Sequence, residues 1–197
     1  MRLLILLWLV WCCLHSLLIT ATVRRWVAAR GGAWLAFFRL GYVFCSLVTL
    51  LPLLCYTHTL PQHQVFIPAN WLLALQGLLF LYALILFIGG LQVYDLRVFI
   101  GVQQWRDYQA GRTSPPPTFM QTGILRHVRH PWYGGGLALI WSLPIFTDVA
   151  LVTRTILSCY LVVGTLLEER KLKSVLGQSY QDYCRQVPML LPWQLWR

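Results

Sequence analysis

The sequence predicts an all-α integral membrane protein with about five transmembrane helices and short surface helices on the cytosolic side. Three observations lead there. Of 197 residues, 58% are hydrophobic and 11% charged, against roughly 25% charged in an average soluble protein. Apolar runs fill residues 1–23, 34–56, 70–92 and 131–167, and a spanning helix needs about 20 such residues. Lysine and arginine collect in alternate connections, as expected when basic loops stay in the cytosol.

Taken in order, residues 1–23 read as a retained span. The stretch is long, no small-x-small cleavage site stands out, and Arg24 and Arg25 follow it. The second and third runs each read as one span. The fourth is too long for one crossing. It is broken at "PIFTDVA", where Thr147 and Asp148 form a strongly polar pair, and reads as a hairpin of residues 132–146 and 149–167 with a short first arm.

Arg24, Arg25 and Arg30 lie between the first two spans. Arg97, Arg106, Arg112, Arg126 and Arg129 lie between the third and fourth. Arg170, Lys171, Lys173, Arg185 and Arg197 follow the fifth, while "YTHTLPQHQVFIPAN" carries no Lys or Arg. The N-terminus is therefore expected outside and the C-terminus in the cytosol. The net charge of +10 is first a topology signal, and it suits contact with the lipid bilayer and its anionic headgroups. Because the arginines are divided among three loops, the pattern argues against nucleic acid.

Between spans, "YDLRVFIGVQQW" places Leu96, Phe99, Ile100 and Trp105 as the apolar stripe of a surface helix. "GRTSPPPT" breaks regular structure, since proline removes a donor and fixes φ. "EERKLKSVLGQSYQDYCRQV" reads as two short surface helices. Leu172, Val175 and Leu176 share a face of the first, Gly177 ends it, and Ser179 with Asp182 forms a capping-box pattern for the second. The Trp-rich tail "VPMLLPWQLWR" is expected at the membrane interface. The six cysteines, Cys12, Cys13, Cys45, Cys55, Cys159 and Cys184, form no CxxC pair and read as small apolar fillers. His58 and His63 offer a metal two ligands with no third nearby, so no metal site is expected. No repeat or soluble domain is visible, and residues 1–197 read as one membrane domain.

Polar chemistry concentrates at "LRHVRHPWYGGG", residues 125–136. Pro131 suits the first position of a helix, and the residue before a proline is pushed extended. His130 is thus expected just outside a helix start whose backbone N–H groups favour anions, with Arg129 adding a cation. Gly134, Gly135 and Gly136 admit either a neighbouring helix or a flat ligand. Glu168 and Glu169 end the fifth span. They read either as a solvated helix end paired with Lys171 and Lys173, or as ligands for a cation or hydroxyls. The hairpin brings both motifs to the cytosolic side. Together they offer partners for a carboxylate, for hydroxyls and for a positive charge, the groups that S-adenosylmethionine carries.

"RHPWYGG" followed by "EERKLKSVLGQSYQDYCRQVP" resembles the isoprenylcysteine carboxyl methyltransferase and phospholipid methyltransferase superfamily. Its pattern RHPxYxG, then EExxLxxxFGxxYxxYxxxVP, is matched at Arg129, His130, Pro131, Tyr133, Gly135, Glu168, Glu169, Leu172, Gly177, Tyr180, Tyr183, Val187 and Pro188. Leu176 stands where Phe is usual. "WCCLHSLLIT", "FFRLGY", "YDLRVFIGVQQW" and "VPMLLP" are similar to the bacterial branch of NnrU-like and methanethiol S-methyltransferase proteins, and a bacterial inner membrane is the expected location. The resemblance implies a methyltransferase whose cofactor, S-adenosylmethionine, is bound by a core of residues 123–192. The expected cofactor ligands are Arg129, His130, Pro131, Tyr133, Gly135, Glu168, Glu169, Tyr180 and Tyr183. Arg129 and Glu169 are the expected catalytic residues, one holding an anionic acceptor and the other taking a proton from an amine. His15, Arg39 and Arg126 are the expected acceptor-side residues, since ionisable groups in or beside apolar spans are candidates for function. His15 and Arg39 read equally well as helix-packing and snorkelling residues.

The leading expectation is methylation of a small or lipophilic thiol. The alternatives are a phospholipid amine or a prenylcysteine carboxylate as acceptor, or a non-catalytic NnrU-like membrane protein on the same fold.

Overall fold

A computed structural model describes residues 1–112 and 119–192. The proline cluster expected to break regular structure and the last five residues of the tail fall outside the described residues. The chain divides into two compact units. One comprises residues 1–61 and 94–118, the other residues 62–93 and 119–197.

In the first unit, α1 (Arg2–Leu18) is followed by α2 (Ala21–Ala28) and α3 (Gly32–Thr59). The Thr20 side chain caps α2 by accepting from the Val23 N–H. The α1–α2 pair bends by 51° at that break. Helices α1 and α3 run antiparallel, and polar side chains stitch them at intervals. Trp8 Nε1 donates to Thr57 at 3.3 Å, Trp11 Nε1 donates to Thr49 at 3.2 Å, and His15 Nδ1 meets Ser46 at 3.0 Å. Leu4 and Trp8 are fully buried there. The expected surface helix of the loop forms as two pieces, α5 (Leu96–Ile100) and α6 (Val102–Gln109). Gly101 divides them with φ +97°, and a side chain there would collide with Arg39.

The second unit holds α4 (Asn70–Val93), a 3₁₀ turn (Gly123–Arg126), α7 (Pro131–Ser142), α8 (Asp148–Leu176) and α9 (Gln178–Gln186). Small residues let α7 lie against α4: Ala83, Gly90, Gly134, Gly135 and Ala138 are all buried.

Among the described residues three helices, α3, α4 and α8, are long and apolar enough to cross a membrane, and the α1–α2 pair makes up to four. The chain is thus an all-α integral membrane protein with fewer spanning helices than the five expected. The difference lies in α7, whose 12 residues reach only about 18 Å, against a hydrocarbon core of about 30 Å. Pro144 cannot continue a helix, and Leu143 is extended. The chain still arrives beside the α3–α4 connection. There the Val65 N–H donates to the Phe146 carbonyl at 2.8 Å and the Asp148 N–H to the His63 carbonyl at 3.0 Å. After the 12 residues of α7 the chain therefore leaves the helix for residues 143–147, and backbone groups freed in this way need protein partners when water is excluded. Gln76 Nε2 and Arg154 NH2 are such partners, both donating to the Leu143 carbonyl, at 2.8 and 3.0 Å.

Two further differences concern the C-terminal segment. The first expected surface helix is the unbroken continuation of α8 to Leu176. The capping box does not form. Gly177 occupies the N-cap of α9 with φ +61°, and the Ser179 hydroxyl donates back to Leu176.

Candidate functional site

The corner opened by "RHPWYGG" is built around one carboxylate. Pro131 is the first residue of α7 and His130 its N-cap, with φ −124°. That backbone aims the His130 ring at α8, where Glu169 is 4% exposed. Glu169 Oε1 accepts from Arg129 Nε at 2.8 Å, from His130 Nε2 at 2.8 Å and from the Tyr180 hydroxyl at 2.9 Å. Its second oxygen lies 3.5 Å from both Lys173 Nζ and Cys184 Sγ. One side chain thus ties the start of α7 to α8 and α9.

The rest of Arg129 and His130 is spent on the C-terminal segment. Arg129 NH1 donates to the carbonyls of Cys184 and Val187. The Arg129 and His130 N–H groups donate to the carbonyls of Pro188 and Met189 at 3.0 and 3.1 Å. Residues 187–190 are therefore laced to the corner. Tyr82 of α4 joins them by donating to the Leu190 carbonyl at 2.7 Å.

Burial raises the stakes of these contacts. The side chains of Arg129 and Glu169 are only 9% and 6% exposed, so each charge depends on the other for solvation. Burial disfavours the Arg129 cation, but the hydrogen bond and charge of Glu169 outweigh it and hold its pKa above the ordinary value. Burial, then the adjacent carboxylate, pushes the Tyr180 phenol up. Burial likewise raises the Cys184 thiol, against the pull of Arg129.

The structure brings Arg129, His130, Glu169 and Tyr180 into direct contact. Tyr133 stands edge-on to His130, with ring centroids 5.8 Å apart, and lies over Gly164, where a Cβ would come within 3.2 Å of its ring. Tyr183 fixes the 3₁₀ turn through a hydrogen bond to the Leu125 carbonyl. The glycine triplet serves packing. A Cβ on Gly134 would sit 3.0 Å from the Leu190 carbonyl oxygen, one on Gly135 3.3 Å from Phe87, and one on Gly136 3.3 Å from Leu161. Gly135, expected at the cofactor, thus faces α4.

Glu168 is different. It is half-buried, and among the described residues its carboxylate makes no hydrogen bond or ion pair. Of the two acid–lysine pairs expected, only Glu169 with Lys173 forms. Arg126 takes no part in the Glu169 cluster, and its exposed side chain lines a separate groove.

His15 and Arg39 belong to the first unit. His15 is held by Ser46 and Tyr42 and stacks on Trp11. Arg39 donates to the Phe99 carbonyl. Sequence reasoning missed Tyr82, Cys184 and Trp132, which occupies the space a side chain on Gly90 would need. None of these three falls on the charge or glycine pattern that marks the corner.

Residues 3–144 match the protein family described as "NnrU protein". Among curated proteins, the chain is 30% identical over 191 residues to the methanethiol S-methyltransferase of Mycobacterium tuberculosis, covering 91% of this chain and 72% of that protein. It is also 30% identical to methanethiol S-methyltransferase 2 of Bradyrhizobium diazoefficiens, over 90% of this chain and 68% of that one. Methanethiol S-methyltransferase 1 of the same organism is 34% identical over 94 residues, 48% of this chain and 33% of the relative. In matches of this last kind the chain spans about a third of the relative's length. No solved structure matches the chain.

Proposed function

The chain belongs to the NnrU protein family, and on that footing we propose that it is a membrane-embedded methyltransferase passing the methyl group of S-adenosylmethionine to a small lipophilic thiol. The observation that carries the reading is the buried Glu169 cluster, which unites the two motifs of the superfamily at one corner. The relatives are methanethiol S-methyltransferases, which supplies the acceptor class.

The donor set fits a sulfonium amino-acid nucleoside. Glu168 is the carboxylate left free to accept from an ammonium or from ribose hydroxyls. The positive end of the α7 helix dipole favours a carboxylate nearby. Glu169 acts by holding Arg129, His130 and Tyr180 in place, since its own oxygens are already engaged. S-Adenosylmethionine, when bound, supplies an electrophilic methyl group; the attacking species is the thiolate, whose proton has already passed to water, so the displacement itself needs no general acid or base. What the protein must add is position and a dry site. The positive end of α7 also favours a thiolate over a thiol.

We place the protein in a bacterial inner membrane as one domain over residues 1–197. The N-terminus is outside and the C-terminus cytosolic, following the Lys/Arg asymmetry. Titration calorimetry on purified protein tests the cofactor site. Glu168→Ala should weaken S-adenosylmethionine binding by about ten- to a hundredfold, the loss of one charge-assisted contact. Wild-type affinity in that variant would refute the assignment.

A further inference from the structure

Outside the corner, the exposed surface of the second unit carries a groove of about 540 Å³ between the end of α4 and the 3₁₀ turn, within the roughly 300–1,000 Å³ typical of ligand sites. Ile85, Ile88 and Gln92 share one face of α4, so the wall changes from apolar to polar over two turns of helix. Ile85 and Ile88 are 51% and 54% exposed. The floor is low because Gly89 has no side chain and Ile124 closes on it; a Cβ there would come within 2.8 Å of Ile124. At the polar end stand Arg126 and His127, both exposed. Among the described residues neither side chain has a hydrogen-bond or ion-pair partner.

An apolar trough that ends in an unpaired guanidinium and an imidazole has the polarity of one molecule, an anionic amphiphile lying along a helix. We propose that this groove is a binding site for an anionic phospholipid of the cytosolic leaflet. An acyl chain lies against Ile85 and Ile88, and the phosphate is held by Arg126 and His127. The charges complement each other: guanidinium binds phosphate in a fixed fork geometry, and a basic side chain at the headgroup level favours anionic over zwitterionic lipid by about fivefold. The site stands apart from the Glu169 cluster and does not depend on the methyl-transfer reading.

The test is native mass spectrometry of the full chain, released from mixed micelles doped with phosphatidylglycerol and phosphatidylcholine. Wild-type protein should retain phosphatidylglycerol about fivefold over phosphatidylcholine, with its headgroup unmodified. Arg126→Gln should abolish the preference. Ile88→Glu, a change on an exposed face that leaves the core intact, should reduce retention of both lipids. Equal retention of the two lipids by wild type, or a preference unchanged in Arg126→Gln, would overturn the proposal. So would displacement of the lipid by glycerol phosphate alone at equal concentration, because the acyl wall would then contribute nothing.

Discussion

Replacing Glu169 by Gln removes one negative charge and little volume, and it strikes the point where α7, α8, α9 and the C-terminal segment meet. Three donors converge on one oxygen within 2.8–2.9 Å. In the variant the Arg129 guanidinium, 9% exposed, keeps its carbonyl partners but loses its counter-charge. Removing one member of a buried pair costs about 3–5 kcal/mol. At roughly 2–4 °C per kcal/mol for a chain of this size, that is a fall in Tm of roughly 6 °C or more. Intrinsic tryptophan fluorescence on heating reads it directly, because ten tryptophans report. The double variant Arg129→Met, Glu169→Leu should be more stable than Glu169→Gln, since an apolar pair removes both charges from the interior. A Tm for Glu169→Gln within 1 °C of wild type, or a double variant that simply adds the two losses, would refute the buried-charge argument.

Tyr180→Phe removes one donor to Glu169 and should cost about 1.5–3 kcal/mol, read by the same melting experiment. Because the folded state raises the Tyr180 pKa, the folded protein holds that proton more tightly than the unfolded chain. Its stability should be fully present below the ordinary tyrosine pKa of about 10 and be lost as pH rises past it. Tyr180→Phe should make that alkaline loss shallower. Gly90→Ala should destabilise the α4–α7 contact, because Trp132 occupies the space of the new methyl; a melting curve like wild type would contradict this. Arg154→Met strips one donor from the Leu143 carbonyl, where α7 gives way to extended chain. Amide hydrogen exchange should then rise selectively in residues 143–147. Single cysteines at Gln62 and Arg185, in a cysteine-free background, should label from opposite sides of the membrane; labelling of both from one side would contradict the topology.

Much of the fold was legible because apolar length is a coarse signal that tertiary contacts cannot hide. Residues 34–56 and 70–92 became α3 and α4 nearly as read. The first arm was read as short, but the end of α7 at Ser142 escaped because "LPIF" is apolar whether helical or extended, and only Pro144 and the side-chain donors Gln76 and Arg154 decide between them. The end of α8 escaped for a related reason. The membrane boundary near Glu168 limits the apolar stretch, not the helix, and "EERKLKSVL" is made largely of good helix formers with an i,i+4 pair between Glu169 and Lys173. At the corner, charge and proline placed Arg129, His130 and Glu169 correctly on one side of the hairpin. They could not tell Glu168 from Glu169, since only the turn of the helix decides which carboxylate is buried. Nor could they show that Gly135 faces α4, because glycine spacing alone is the same for a helix neighbour and a ligand.

The central claim is methyl transfer from S-adenosylmethionine to a small thiol, and one measurement addresses it directly. Membranes carrying the protein are supplied with methyl-deuterated S-adenosylmethionine and methanethiol, and the headspace and lipid fractions are analysed by mass spectrometry. The account predicts deuterated dimethyl sulfide from wild type and a large loss of it from Glu168→Ala, with both proteins present at equal level in the membrane. Label recovered in lipid headgroups without any labelled sulfide, or equal sulfide from empty membranes, would contradict it.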